Sequence, residues 1–392
     1  MLFKGTRRAT VLVVLALFSL AGHAAGVIVP APPQLSATGY LLMDAATGKV
    51  LVDFNSEQRL PPASLTKIMT SYVVEHELDR GSITMNDMVD ISVKAWRMEG
   101  SRMFVREGTK VRLEDLLRGV IIQSGNDASV ALAEHIAGSE DVFADMMNQH
   151  AARLGMTNTN YVNSTGLPDE NHYTTARDLA LLSVALIEDF PQHYAMYSEK
   201  YFTYNDIRQP NRNSLLWRDP SVDGVKTGHT EAAGFCLVAS AERNGMRLVS
   251  VVMGTSSEEA RAVESQKLLT YGFRYFETVP LYKAAEALRN VRVWRGDRDS
   301  VGLGLVADAV LTIPRGGRES LEAKMDINAI VEAPFDQGDK LGRLTVSMGD
   351  EVVFESDLVA LAPVAEAGFF SRVWDALALF FMKIFGGDPL AI

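Results

Sequence analysis

A serine stands three residues before a lysine in the apolar stretch PPASLTKIMT at 61–70. A serine hydroxyl is a weak nucleophile near neutral pH and needs a base beside it. On a helix, Ser64 and Lys67 are i and i+3 neighbours on one face. A lysine can act as that base only once burial or a second cation has lowered its pKa. The chemistry therefore asks for another positive charge, and for a group that passes a proton to the leaving atom. The chain holds a candidate for each. Ser124-Gly125-Asn126 separates two apolar stretches with a tight polar turn, and Lys226-Thr227-Gly228 lies in a run with strand character. Lys226 is expected to be the second cation, and Gly228 to let a substrate backbone come close. A free strand edge there would pair with an extended substrate.

The elements that must hold these residues are legible in outline. Two strand-like runs around ATGK in GYLLMDAATGKVLVDFN predict a hairpin. The prolines of LPPAS put a helix start near Ser64. VRLEDLLRGVIIQ and DASVALAEHIAG are expected to be helical on either side of the SGN turn. VFADMMNQHAARLGM is expected to be helical with Gly155 as its stop, and TTARDLALLSVALIEDF is expected to end at Pro191. VDGVKTGHT, AAGFCLVASAERNG and MRLVSVVMGT follow as three strands, and SEEARAVESQKLLTYGFRYF as a long helix. Strands at both ends with helices between predict an α+β domain over 26–280, an antiparallel sheet sandwiched by helices. Short runs with turn signals over 281–365 predict a small all-β domain.

The formal net charge of −11 over 392 residues speaks against nucleic acid as a partner, while leaving room for a local basic site for a small anion. The single cysteine, Cys236, permits no internal disulfide and sits in the apolar run GFCLVAS, so it is expected as a buried, inert thiol. Lys4, Arg7 and Arg8 precede the apolar run ATVLVVLALFSLAG, and small residues follow in GHAAG. That order predicts a secretory signal over 1–25, cleaved near Ala24 or Ala25. The run is shorter than the ~20 residues of a permanent span. Export removes the protein from ATP and NAD, no Walker or dinucleotide glycine pattern is present, and no histidine pairing suggests a metal; no cofactor is expected.

At the other end, 366–392, the helical wheel is lopsided. Phe369, Phe370, Val373, Trp374, Leu377, Phe380, Phe381, Ile384 and Phe385 share one half of the circumference at about 100° per residue. Ser371, Arg372, Asp375 and Lys383 occupy the other. The expectation is an amphipathic helix lying in a membrane interface, the alternative a helix packed on the protein's own core.

SLTK, SGN and KTG occur once each, in this order, separated by roughly 60 and then 100 residues. Together they resemble the three motifs of the penicillin-recognising serine acyl-enzymes. MDAATGKVL, QSGNDASVALAEHIAG, YVNSTGLPDENHYTTARD, QPNRNSLLW and VDGVKTGHTEAAGF extend the likeness to low-molecular-mass penicillin-binding proteins, the D-alanyl-D-alanine carboxypeptidases of peptidase family S11. The resemblance covers nearly the whole mature chain, β-domain and tail included. It implies that Ser64 is acylated by the carbonyl between two terminal D-alanines and that Lys67 takes its proton. It also implies that Ser124 relays a proton to the departing D-alanine and that Asn126 orients the substrate amide and the lysine. Lys226, Thr227 and Arg212 would receive the terminal carboxylate, Arg212 through a bidentate fork. Gly228 would flank the substrate, and the main-chain N–H groups of Ser64 and His229 would form the oxyanion hole. Water would then deacylate the ester, and β-lactams would be trapped as slowly hydrolysed acyl-enzymes. The implied partners are a peptidoglycan pentapeptide ending in D-Ala-D-Ala and a membrane surface, and the implied place is the periplasmic face of the inner membrane.

Simpler roles stand beside these. Asn126 would also serve as cap of a helix beginning at Asp127, Arg212 as a surface arginine, and His76, His172 and Glu170 as structural or solvated groups. A β-lactamase on the same fold commonly draws a glutamate from a Glu-x-x-Leu-Asn loop, and LPDENHYTT does not match it. An endopeptidase that cuts cross-links uses the same motifs and stays open. A tethered binding protein with relic motifs is disfavoured by the intact Ser64, Lys67, Ser124, Asn126 and Lys226.

Overall fold

The computed structural model describes residues 28–385, 389 and 390, so the expected signal sequence lies outside the described residues. The predicted hairpin is β1 (Gly39–Asp44) with β2 (Val50–Phe54), and the later strands are β3 (Val222–Thr230), β4 (Gly234–Arg243) and β5 (Met246–Thr255). They form one antiparallel sheet in the order β2-β1-β5-β4-β3, which leaves β3 as an edge. Side chains alternate across it with a period of two. Leu41, Met43, Cys236 and Val238 enter one core, while Tyr40, Leu42, Leu237 and Ala239 enter the other.

The first face is covered by helices α1 (Thr66–Asp79), α2 (Asn126–Ala137), α3 (Glu140–Arg153) and α4 (Ala176–Asp189), and the second by α5 (Glu258–Tyr275). Covering both faces explains why β4 and β5 read as near-continuous apolar runs. Cys236 is fully buried, and that burial pushes its thiol up to about 11, as expected of an inert cysteine.

Three local expectations shift. α1 begins at Thr66 rather than Ser64, because Ala63–Leu65 forms a single 3-10 turn. VRLEDLLRGVIIQ is not one helix: Lys110–Arg112 pairs with Met88–Asp90, Leu113–Arg118 is α-helical, and Gly119–Gln123 widens into a π turn. Pro191 does more than stop α4, since it opens the short helix Pro191–Tyr194.

Beyond α5 the chain is all-β up to the tail. β6 (Phe276–Tyr282) pairs with a later strand, while β7 (Arg289–Arg292) and β8 (Ser300–Gly304) begin a second sheet. β9 (Ala309–Pro314) is the partner of β6. β10 (Leu321–Ile327), β11 (Lys340–Met348) and β12 (Glu351–Ala360) complete the sheet in the order β7-β8-β12-β11-β10. The β-module is tied to the first domain through Asp44, whose Oδ2 accepts from the hydroxyls of Thr278 (2.5 Å) and Thr312 (2.7 Å). Helix α6 (Phe369–Phe385) ends the described fold and rests on the module through the Arg295 N–H to Asp375 Oδ2 bond of 2.7 Å and buried Leu379. Its apolar side faces outward, with Phe370 87% and Trp374 73% exposed. No described helix is long and apolar enough to cross a membrane.

Candidate active site

Ser64 sits in the turn between β2 and α1, preceded by Ala63 at φ 49°, a left-handed conformation that costs a β-carbon residue about 1–2 kcal/mol. The turn is held from two sides. A β-carbon on Gly166 would meet Ala63 O at 1.8 Å, and one on Gly228 would meet Pro62 O at 3.1 Å. Gly228 therefore lets β3 pack against the Ser64 turn itself, a closer constraint than room for a substrate. His172 adds a clamp: Val162 N–H donates to its Nδ1 (3.1 Å), so Nε2–H donates to Thr66 Oγ1 (2.8 Å), which donates to Ala63 O (2.8 Å). Burial lowers this imidazole to about 4, keeping it in the neutral form the chain of bonds requires.

Lys67 is completely buried on the first turn of α1. Its Nζ lies 2.7 Å from Asn126 Oδ1, 2.6 Å from Thr165 O and 3.3 Å from Ser64 Oγ. Both carbonyl oxygens can only accept, so Nζ donates to each. A neutral amine then has one lone pair left, and Ser64 Oγ–H is the remaining group to donate to it. Burial first and the Arg212 charge second bring Lys67 from 10.5 to about 7, against opposing pulls from Asp127 and Glu140. Arg212 thus joins Lys226 as a cation beside Lys67, since Lys67 and Lys226 also repel each other. Lys226 is itself buried, donates among the described residues only to Thr227 O at 3.3 Å, and is driven well below 10.5 by burial and by Lys67, Arg212 and Arg261.

The SGN turn is built tightly. Ser124 ends the π turn at φ 65° with its hydroxyl buried and without a hydrogen-bond partner among the described residues. A buried, unsatisfied hydroxyl is costly, and such features concentrate at functional sites. Asn126 does not cap its helix: α2 starts at Asn126 itself with Gly125 as N-cap, and the amide is spent on Lys67 and on Glu99 O (2.6 Å). Asp127, which the sequence reading passed over, accepts from the N–H groups of Met103 (2.9 Å), Phe104 (2.8 Å), Val105 (3.2 Å) and Ala128 (2.9 Å). It fastens the 101–105 segment beside the site.

On the edge strand, Lys226 and Thr227 are buried, Gly228 abuts the serine turn, and the His229 ring stacks on Phe235 at 3.9 Å, leaving only its backbone for the site. Partial burial lowers Arg212 from its ordinary value against the opposing pull of Glu258, whose Oε1 lies 3.6 Å from Arg261 Nη2. Arg261 was not foreseen. From the first turn of α5 it reaches back, 4% exposed, to place Nη1 3.4 Å from Gly228 O. Only the packing of α5 under the sheet brings it there. His76 packs against His150 away from these groups, and Glu170 is a solvated loop residue, as expected.

A hydroxyl backed by a neutral amine attacks carbonyl carbon, and Lys226 and Arg212, which form no ion pair among the described residues, favour a substrate that ends in a carboxylate. On an antiparallel sheet between helical layers, that is the class of serine acyl-enzymes that recognise penicillin. Residues 27–257 match the family described as D-alanyl-D-alanine carboxypeptidase, and 276–366 match the C-terminal domain of penicillin-binding protein 5. The chain is 45% identical over 362 residues to the D-alanyl-D-alanine carboxypeptidase DacC of Escherichia coli K12, covering 90% of each. It is also 45% identical over 354 residues to DacA of Haemophilus influenzae, covering 89% of this chain and 90% of that one. The solved penicillin-binding protein 5 of Haemophilus influenzae superposes with a TM-score of 0.82 at 44% identity, over 86% of this chain and all of the other. The chain belongs to the serine-type D-alanyl-D-alanine carboxypeptidases of peptidase family S11.

Proposed function

We propose that this protein removes the terminal D-alanine of peptidoglycan stem peptides through an ester on Ser64, and that penicillins acylate the same oxygen. The observation that carries the reading is the Lys67 amine, lowered to about 7 and 3.3 Å from Ser64 Oγ. Ser64 Oγ adds to the penultimate D-alanine carbonyl as its proton passes to Lys67 Nζ. Ser124, whose hydroxyl has no hydrogen-bond partner among the described residues, carries a proton on to the nitrogen of the departing D-alanine. Asn126 holds Lys67 and the substrate amide. Lys226, Thr227 and Arg212 take the terminal carboxylate, and the N–H groups of Ser64 and His229 stabilise the oxyanion, each worth about 10²–10³ in rate. Water then cleaves the ester: its proton passes to Lys67 Nζ and on to Ser64 Oγ as the acyl C–O bond breaks, which restores the hydroxyl and the neutral amine and releases a stem one residue shorter.

In this reading residues 1–25 direct export, 26–280 form the catalytic domain, 281–365 the β-domain, and 366–392 an anchor lying in the periplasmic face of the inner membrane. The outward apolar side of α6 supports the last assignment. The test compares D-alanine release from a muropeptide ending in D-Ala-D-Ala by the wild type and by Ser64→Ala. Release by the wild type alone, with cross-links intact, is the expected result. Equal release by both removes Ser64 from the mechanism, and loss of cross-links moves the activity to an endopeptidase.

A further inference from the structure

Cations that share a site repel one another and must be held there by something else. Arg212 pushes down the pKa of both Lys67 and Lys226, so the three groups oppose one another when charged. Lys67 is fixed by α1 and Lys226 by β3. Arg212 has no such support. It lies in the connection between the strand Ile207–Pro210 and the short helix Leu215–Arg218.

Two neutral amides on either side of it take over that task. Asn211 and Asn213 are 9% and 2% exposed. Asn213 Nδ2 donates to Gly224 O (2.9 Å), and its Oδ1 accepts from Leu215 N–H (3.1 Å). Asn211 Nδ2 donates to Tyr197 O (3.3 Å) and Glu199 O (3.1 Å), and its Oδ1 accepts from Asn213 N–H (3.0 Å). Its backbone N–H donates to Lys200 O (2.8 Å). Carbonyl oxygens can only accept and N–H groups only donate, so neither amide could be turned over without losing these bonds.

The far ends of the bonds meet on β3. Gly224 stands two residues before Lys226, which returns side chains to the same face of the strand about 6.7 Å further on. Tyr197 stacks on Tyr194 at 5.2 Å, and the Tyr194 hydroxyl donates to Asp223 Oδ1 (3.0 Å), next to Gly224. A β-carbon on Gly224 would collide with that hydroxyl. From β3 the ring of contacts runs through Asn213 and Asn211 to Tyr197 and Tyr194, then back to β3, with Arg212 between the two asparagines. An acidic side chain could also hold Arg212, but it would occupy the charge that a substrate carboxylate needs. Amides hold the backbone and leave the guanidinium free.

We propose that Asn213, backed by Asn211, is a positioning residue that keeps Arg212 beside Lys226 against their repulsion, so that both cations meet the terminal carboxylate of the substrate. The proposal rests on the carboxypeptidase reading, in which Arg212 and Lys226 receive that carboxylate.

The experiment measures second-order acylation of Ser64 by benzylpenicillin and by its neutral methyl ester at pH 9, read by intact mass. The ratio of the two rates cancels any loss of folded protein. The wild type is expected to favour the free carboxylate roughly thirtyfold, the size of one charged hydrogen-bonded contact. Asn213→Ser keeps an acceptor for Leu215 N–H but is too short to reach Gly224 O, and should lower the ratio roughly tenfold. Asn211→Ala should move it the same way. Arg212→Gln should lower it at least as far, and adding Asn213→Ser to that variant should change it by less than about twofold, because both act through one group. The acid-side inflexion of acylation should rise in Asn213→Ser as it does in Arg212→Gln, which a general loosening of the fold would not produce. An unchanged ratio in Asn213→Ser, or a full further drop when it is added to Arg212→Gln, would overturn the positioning role and leave the carboxylate reading standing. Equal wild-type rates for the two compounds, or a wild-type ratio in Arg212→Gln, would overturn the carboxylate reading itself.

Discussion

Acid should disarm this enzyme through a single amine. Lys67 falls from 10.5 to about 7, a change that costs about 5 kcal/mol at ~1.36 kcal/mol per unit. A lysine left at 10.5 would be neutral in only about three molecules per ten thousand at pH 7, whereas here about half carry the free base. Below about 7 the neutral fraction falls tenfold per pH unit, and acylation should fall with it. The assay is the second-order rate constant for acylation by benzylpenicillin between pH 5 and 10, read by intact mass. A slope of one on the acid side and a plateau above the inflexion are expected. Arg212→Gln removes the second cause of the shift, so its inflexion should move upward, yet stay well below 10.5 because burial is the larger cause. An inflexion near 10 in the wild type, or none that moves in the variant, would refute the reasoning. Stability carries the same sign. The unfolded chain takes up the proton as pH drops through 10.5 and the fold only near 7, so stability declines across that window on acidification.

Three further perturbations test the frame. Glu75 is buried in α1 with its pKa raised well above 4.5, chiefly by burial, and one carboxyl oxygen is unpartnered. The unfolded chain loses this proton first as pH rises, so the group costs about 1.4 kcal/mol per unit above 4.5 while it stays protonated in the fold. Glu75→Gln should therefore raise Tm at pH 8 by more than at pH 5, and an equal gain at both would contradict this. Asp127→Asn should cost about 2–4 kcal/mol, because a carboxylate accepting four N–H groups becomes an amide with one acceptor. Urea titration gives the energy, and faster amide exchange at Met103, Phe104 and Val105 locates it. Phe370→Asp with Trp374→Asp should weaken sedimentation with phospholipid vesicles at least tenfold, about 1.5–3 kcal/mol per apolar side chain. Unchanged binding would take the anchor away from α6.

The sequence determined by itself what depends on neighbours along the chain. Ser64 and Lys67 meet because one helical turn separates them, and the 3-10 start at Ala63 does not disturb that spacing. The strand character of VDGVKTGHT, the lopsided wheel of the tail and the buried Cys236 also follow from local pattern. Tertiary structure decided what those residues can do. Lys67 is enclosed because Asn126, 59 residues on, and the Thr165 carbonyl, 98 residues on, close over it, and its pKa is lowered further because Arg212 stands near. No window of sequence contains that enclosure. Asp127 as a clamp, Arg261 behind β3 and the bond from Asn213 to Gly224 are equally products of packing between separate segments. Periodicity and spacing select which residue types share a face, whereas desolvation and through-space charge, which set reactivity, are fixed only when the layers meet.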